Sequence, residues 1–450
     1  MNAIGRFAGS INLGKHYKLA ADGYLSMTSD SGRPTRYAAV VIIVLVLGAL
    51  LVPAVGALGA LGYFHEKTYL LVLQDNSELR NTGGFLACLG SIDVQNGEPT
   101  NLKLHYSNST YTNTTNDTVV KVDGPESFTT FYDTQLVPLR DMNVQYDFAT
   151  FAPLYAAASQ ELTGQRADGV IAVDFTALQE LLKTMGPVTI GNEMITWRNV
   201  IDRVHYVSAT ATEASKTDLT AFLTELGSKL IATVQAADPV EKLLLLSTLQ
   251  TLSQQRHLLL YAPGALPSGY DGAIQNRAGD YLYVVDSNYA GGKADLSVNR
   301  TITYQTHIED NGTQTSNLTI TYANNCWWDY KVFTTALVPN GAQLLDARYS
   351  SHALGPLITA SDGLTTISSW VVVAPHSAAN VTYTYTLPAT ASSAGVFGHY
   401  DLYVQKQAGI DHYTLNTDVT LPHGAHVIHE SNVGNGTVST GDVQVEVIYR

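Results

Sequence analysis

The sequence predicts an α/β domain with a mixed sheet and helices, followed by an all-β sandwich, the two preceded by one transmembrane helix. Three observations carry that prediction. A run from Tyr37 to Phe64 holds no Asp, Glu, Lys, Arg or His. Strand-length apolar runs then alternate with helical periodicities up to about residue 280. From Tyr281 onward the helical period disappears, and short β-branched and aromatic runs separated by turn residues take over.

The first element is the membrane span. About 20 apolar residues cross the hydrocarbon core as a helix, so residues 37–64 suffice with room to tilt. The run is too long and too far from Met1 for a cleaved signal peptide. Pro53 is expected to kink it, and Gly56, Gly59 and Gly62 offer small residues at spacings that permit close helix packing. Arg6, Lys15, Lys18, Arg33 and Arg36 precede the run, whereas Glu66 and Lys67 follow it. The positive-inside bias therefore places residues 1–36 in the cytoplasm as a polar tail, with everything beyond Phe64 on the outer side of the cell membrane.

Residues 65–280 form the expected α/β ectodomain. Thr68–Gln74 and Gly84–Val94 read as strands, Asn96-Gly97 as a hairpin turn, and Asn101–Tyr106 as the returning strand. Phe148–Leu162 reads as a helix closed by Gly164. Asp168–Asp174 is a buried strand, and Thr176–Lys183 a helix ending at Gly186-Pro187. Leu219, Phe222, Leu223, Leu226, Leu230, Ile231 and Val234 keep the spacing of one apolar helical face. Asp238-Pro239 with Glu241 then caps a further helix that is expected to run to about Leu260. Residues 281–450 form the expected sandwich, of immunoglobulin-like type, with strands at 281–286, 296–307, 316–322, 330–337, 365–373, 380–387, 401–405 and 443–449.

Charge narrows the partners. The first 36 residues carry five Lys/Arg against Asp22 and Asp30, which leaves 20 basic and 37 acidic residues in the remainder. So acidic an outer part lacks the clustered cations that nucleic-acid binding needs. Cys88 and Cys326 are the only cysteines, a candidate disulfide outside the membrane or else two separate buried thiols. Asn108, Asn113, Asn116, Asn299, Asn311, Asn317, Asn380 and Asn435 each open an Asn-x-Ser/Thr triplet and are candidate glycosylation positions. Signatures of the Gly-x-Ser-x-Gly, His-Glu-x-x-His and Walker types are missing. His423, His426 and His429 read as surface residues, because steps of three along a strand put His426 opposite the other two.

The most specific polar stretch is Gln74-Asp75-Asn76-Ser77-Glu78-Leu79-Arg80-Asn81-Thr82-Gly83-Gly84-Phe85. It ends a buried strand, where α/β folds place ligands. Asp75, Glu78, Arg80 and Thr82, together with Arg140 and Asp141, are the ligand-binding candidates. Arg80 would grip a phosphate or carboxylate, and the Gly pair would let the backbone approach it. The alternative is a structural loop in which Arg80 pairs with Asp75 or Glu78.

This stretch resembles a prokaryotic envelope family known only as a domain of unknown function, DUF4012. Further matching segments keep the same order: Arg140-Asp141-Met-Asn143, Asp168–Asp174, Val285-Asp286-Ser-Asn288 with Lys293-Ala-Asp295, and Tyr403-Val-Gln405-Lys406-Gln407-Ala-Gly409. The first half also resembles, distantly, the LytR-CpsA-Psr transferases of lipid-linked glycopolymers. That likeness implies a membrane helix before an α/β ectodomain and an arginine after an early strand, followed closely by a cation-holding aspartate. Here Asn81-Thr82 follows Arg80, so the aspartate is missing. Two expectations result. One is an anchored, non-catalytic protein of surface binding or envelope organisation, its partners the membrane and an envelope glycan, lipid-linked glycopolymer or surface protein, with no cofactor. The other is a transferase with Arg80 and Arg140 on a pyrophosphate and Asp75 or Asp141 on a divalent cation.

Overall fold

Lys67–Asp75 forms strand β1, whose apolar centre is buried on both faces of a sheet. Phe85–Gln95 (β2) pairs with it antiparallel and turns through Asn96 and Gly97, both in the left-handed region, into Glu98–Tyr106 (β3). Gly169–Asp174 (β4) lies parallel to β1, in register from Tyr69 opposite Gly169 to Gln74 opposite Asp174. Leu258–Tyr261 (β5) closes the far edge, giving the order β3-β2-β1-β4-β5. The computed structural model describes residues 59–106, 119–121, 136–210, 216–263, 270–275, 278–387, 392–394 and 397–450, all in one compact unit, Leu51–Arg450. The tail and the expected span up to residue 58 lie outside the described residues, among which no helix is long and apolar enough to cross a membrane.

Three helices start where an aspartate side chain satisfies orphan backbone N–H groups. Asp147 caps α1 (Phe148–Thr163) by accepting from Thr150 N, and Gly164 ends it at φ 72°. Asp174 caps α2 (Phe175–Met185) through Ala177 N. Helix α3 (Val200–Thr210) has no counterpart in the sequence reading, and α4 spans Lys216–Ala236. Asp238 and Glu241 form a full capping box on α5 (Pro239–Gln254). This helix stops six residues short of the expected Leu260. Arg256 turns left-handed at φ 60°, and Leu258–Tyr261 satisfies its backbone on β4 instead. One face of the sheet packs Leu70, Val72 and Leu86 on Phe148, Phe151 and Tyr155 of α1. The other packs Leu73, Ala87 and Cys88 on α2, α3 and α4.

Beyond residue 279 two large sheets face each other. An eight-stranded sheet is centred on Asp280–Ser287, which pairs antiparallel with Tyr330–Pro339 and parallel with Phe397–Gln405. A seven-stranded sheet is centred on Val298–Ile308, which pairs antiparallel with Gln314–Asn324 and parallel with Tyr413–Thr420. Inward residues of both sheets, among them Leu282, Val332, Leu318, Tyr383 and Val445, make one shared core. Gln314–Asn324 alternates inward and outward without a break, the period-two signature that its Leu, Ile, Thr and Tyr content anticipates. The sheets hold more strands than the roughly seven to nine of an immunoglobulin domain. Strands such as Gln343–Tyr349 and Tyr413–Thr420 went unread because polar residues occupy their outward positions.

Of the two readings of the cysteines, the structure has the separate thiols and not the disulfide. Cys88 and Cys326 are both buried thiols, one in the core between the α/β sheet and its helices, the other in the sandwich core. Packing each as a small hydrophobe in its own core keeps them apart. Of the glycosylation candidates, Asn299, Asn311 and Asn435 are exposed and Asn317 and Asn380 half-buried, while Asn108, Asn113 and Asn116 lie outside the described residues.

Asp280–Ser287 is buried along its whole length because the α/β part covers its second face. Tyr281, Tyr283 and Val285 pack there with Tyr146, and Phe333 of the neighbouring strand joins the α1 core. A fragment from Gly279 to Arg450 should keep a β-type circular dichroism spectrum yet melt about 5 °C or more below the full chain, because these aromatics become exposed. An unchanged melting temperature would show that the covered face adds nothing.

Candidate functional site

The polar stretch that follows β1 is buried between the α/β sheet and the sandwich. Asp75 is 2% exposed and Arg80 3%. The Arg80 guanidinium donates from Nη2 to Glu78 Oε1 at 3.0 Å and Asp141 Oδ1 at 3.0 Å, and from Nε to Asp141 Oδ1 at 3.3 Å. Its Nη1 donates to the Leu79 and Asn288 carbonyls at 3.2 and 2.9 Å. The Phe85 and Tyr289 rings lie 5.4 and 5.7 Å from the guanidinium carbon. All five N–H donors are thereby spent inside the protein, so Arg80 does not grip a ligand here. Of the two readings of this loop, the contacts match the structural one, in which Arg80 pairs with Glu78, and they add Asp141 and two carbonyls. Arg140 Nε lies 3.5 Å from the other oxygen of Asp141.

The remaining candidates are also engaged. Thr82 Oγ1 accepts from Gln74 Nε2 at 3.3 Å and Asn143 Nδ2 at 3.1 Å. The Gly pair approaches protein rather than ligand. A Cβ on Gly83 would meet Gln74 Oε1 at 2.1 Å, and one on Gly409 would meet the Gly83 carbonyl at 2.3 Å. Gly409 thus lets the sandwich backbone touch the loop at Gly83, and Gly83 makes room for the Gln74 side chain.

Asp75 accepts from Ser77 N at 3.0 Å, from Ser77 Oγ and from Lys293 Nζ, with His205 Nε2 at 3.3 Å. Burial alone would raise its pKa. The hydrogen bond from His205 and the charge of Lys293 outweigh burial and hold the carboxyl well below the usual carboxylate range. Lys293 reaches this position on three consecutive left-handed residues, Gly291, Gly292 and Lys293 itself at φ 47°. For a lysine that conformation costs about 1–2 kcal/mol, which the ion pair must offset.

The sandwich side of the seam is built by the segments that carry the resemblance. Gln407 Nε2 donates to the Arg80 and Asp286 carbonyls at 3.2 and 2.7 Å, and its Oε1 accepts from Asp286 N at 2.8 Å. Asn76 Nδ2 donates to the Gly409 carbonyl at 2.9 Å, and Asn288 N to the Leu79 carbonyl at 2.9 Å. Asp295 accepts from Leu79 N, Asn288 Nδ2 and Tyr330 OH at 3.0, 2.8 and 2.7 Å. Burial still pushes its carboxyl up to about 6 against those hydrogen bonds.

A second buried group lies at the end of β4. Asp174 Oδ2 is 2.6 Å from His257 Nδ1, and Thr176 Oγ1 donates to Asp411 at 2.7 Å. Lys406 is buried close by and donates to the Gln255 and Gln407 carbonyls at 2.8 and 3.2 Å. Burial pushes its amine down to about 7, although Asp174 and Asp411 pull it upward. Ser77, His205, His257 and Lys406 were not among the residues singled out as site candidates, because nothing local in the sequence pairs them.

A cavity of about 40 Å³ opens at the seam, lined by Asn76, Asp286, Asp295, Arg300, Tyr330 and Asp411. It suits one or two ordered waters, and Asn76 Oδ1 lacks a protein partner there. Small-molecule sites are larger, about 300 Å³ or more. Among the described residues no group of three or more His, Cys, Asp and Glu is arranged to hold a metal ion. His423, His426 and His429 are exposed.

Fold and site together define an α/β layer welded to a β-sandwich through a charged, water-poor seam. Residues 65–207 match the family model described as a protein of unknown function, DUF4012. No curated protein matches the chain. Among solved structures, a protein from Streptococcus agalactiae is 12% identical over 46% of this chain and 70% of its own, with a TM-score of 0.32. A candidate nutrient-binding protein from Legionella pneumophila is 9% identical over 38% and 71%, at 0.24. The M1 zinc metallopeptidase from Deinococcus radiodurans is 13% identical over 34% and 39%, at 0.22. Likenesses at this level carry no argument about function.

Two predictions come from the seam. Arg80→Ala leaves Asp141 with only the longer Arg140 contact and the Leu79 and Asn288 carbonyls without their donor, and should cost about 3 kcal/mol in urea denaturation. Arg80→Lys should also lower the melting temperature, because an ammonium cannot reproduce the planar fork. A variant of unchanged stability would return Arg80 to the ligand-binding reading. Lys406 holds its proton in the unfolded chain up to the ordinary 10.5 but only to about 7 when folded. The unfolded state binds more protons between those values, so stability should climb from pH 7 toward 10.5. Lys406→Met should flatten that part of the stability–pH curve.

Proposed function

We propose that this is a single-pass, membrane-anchored extracytoplasmic protein whose α/β layer and sandwich serve envelope organisation or surface binding without turnover. The observation that carries the non-catalytic part is the guanidinium of Arg80. It is spent on Glu78, Asp141 and two carbonyls, so the cation that a lipid-pyrophosphate transferase would need is already neutralised. The anchoring part rests on the uncharged run 37–64 and the cations before it. The partner is an envelope glycan, a lipid-linked glycopolymer or a surface protein.

Protease added outside intact cells should digest the chain beyond about residue 65 and spare the first 36 residues. Protection of the long C-terminal part would reverse the topology. The full chain given a polyprenyl-pyrophosphate-linked glycan donor and magnesium should release no product. Magnesium-dependent turnover of that donor would favour the transferase instead.

A further inference from the structure

We infer that the amino-terminal half of α5 is a face that rests in the interfacial layer of the lipid bilayer. The inference rests on the membrane-anchoring reading above and adds to it the orientation of the outer part. Val240, Leu243 and Leu244 are 66%, 45% and 58% exposed. They stand at i, i+3 and i+4, so they form one stripe on the outer face of the helix. The same face continues with Ser247 and Thr251, which are exposed and polar. Apolar exposure is thus confined to one end of α5.

Hydrogen bonds identify which end that is. Lys242 Nζ lies 3.8 Å from Glu98 Oε1, and Gln235 Nε2 donates to the Pro99 carbonyl at 3.0 Å. Both partners sit at the turn between β2 and β3. That turn in turn binds the segment leaving the uncharged run, with Gly97 N donating to the Leu61 carbonyl at 2.7 Å and Asn96 N to that of Gly62 at 3.2 Å. Phe64, the last residue of the run, is 60% exposed. The other end of α5 leads to the sandwich, where Arg256 Nη2 donates to Asp442 at 2.8 Å. The exposed leucines therefore stand where the chain exits its anchor, and the sandwich stands away from it.

A bilayer is the occupant that this placement selects. An anchor in the uncharged run, whose last residues fold onto the hairpin, holds the membrane surface near this end of α5 at a high effective concentration. An amphipathic helix end with aliphatic residues on one side and polar ones on the other lies naturally at the headgroup boundary.

The test uses the full chain in phosphatidylcholine vesicles, some of whose lipids carry a nitroxide high on the acyl chain. A nitrobenzoxadiazole label is placed on Leu244→Cys, and Cys88 and Cys326, being buried, stay unlabelled in the folded protein. The comparison position is Val438→Cys, 65% exposed on the sandwich strand Gly434–Ser439. Quenching several-fold stronger at 244 than at 438 is expected. Equal quenching in a chain that floats with the vesicles overturns this inference and leaves the anchor standing, whereas a chain that fails to float overturns both. Leu243→Glu, an exposed substitution that spares the fold, should reduce the quenching of a label on Val240→Cys several-fold. Undiminished quenching there would show mere proximity and overturn the contact.

Discussion

A charged arginine with almost no access to water decides how the two halves of this protein meet. Burying a guanidinium is costly unless every donor is satisfied and an opposite charge lies close. Arg80 meets both conditions only because three distant segments converge on it: its own loop through Glu78, the turn at Asp141, and the sandwich backbone at Asn288. Pulling the sandwich away would strand the charge, so the association of the layers and the shape of the loop are one equilibrium. Gln407 extends the dependence, because one amide holds both the Arg80 carbonyl and the Asp286 backbone.

The sandwich repeats the same theme in its interior. Its core is rich in tyrosines that are fully buried and would cost free energy if their hydroxyls were unpaired. Asp280 accepts from Tyr304 and Tyr400 at 2.7 and 2.8 Å, and Asp286 accepts from Tyr322 at 2.7 Å. Burial nevertheless pushes Asp280 up to about 6, since the tyrosines offset only part of the desolvation. Asp286 lies 3.4 Å from Arg300 Nε and adds a second buried ion pair beside the seam. Polar networks of this kind specify one packing arrangement, because a half-satisfied alternative is worse than an apolar core.

The seam makes the α/β layer and the sandwich one compact unit rather than two domains on a linker. In the proposed orientation β1 begins at Lys67 next to the membrane and ends at Asp75 against the sandwich. Forces or contacts at the sandwich would then pass directly through the α/β sheet to the anchor. The seam itself offers a cavity of only about 40 Å³, so binding is better sought on outer surfaces.

By itself the sequence determined the features that depend on neighbours a few residues apart. The alternating strand at 316–322, the cap at Asp238 with Glu241 and the glycine stop at Gly164 are all of this kind. Local backbone chemistry and periodicity fix such elements before any long-range contact forms. The limits are equally local in origin: the apolar pattern extends α5 too far because Leu258–Tyr261 is as apolar as a helix face, and it gives no sign of α3 with His205. Only the tertiary structure decided what the conspicuous polar residues do. Arg80 finds Asp141 at a separation of 61 residues and Asn288 at 208, Asp75 finds Lys293 at 218, and the two cysteines are drawn into different cores. A loop rich in charge and amide reads alike whether it faces a ligand or another layer of its own protein. The difference lies in what covers it, and covering is a property of the packed whole.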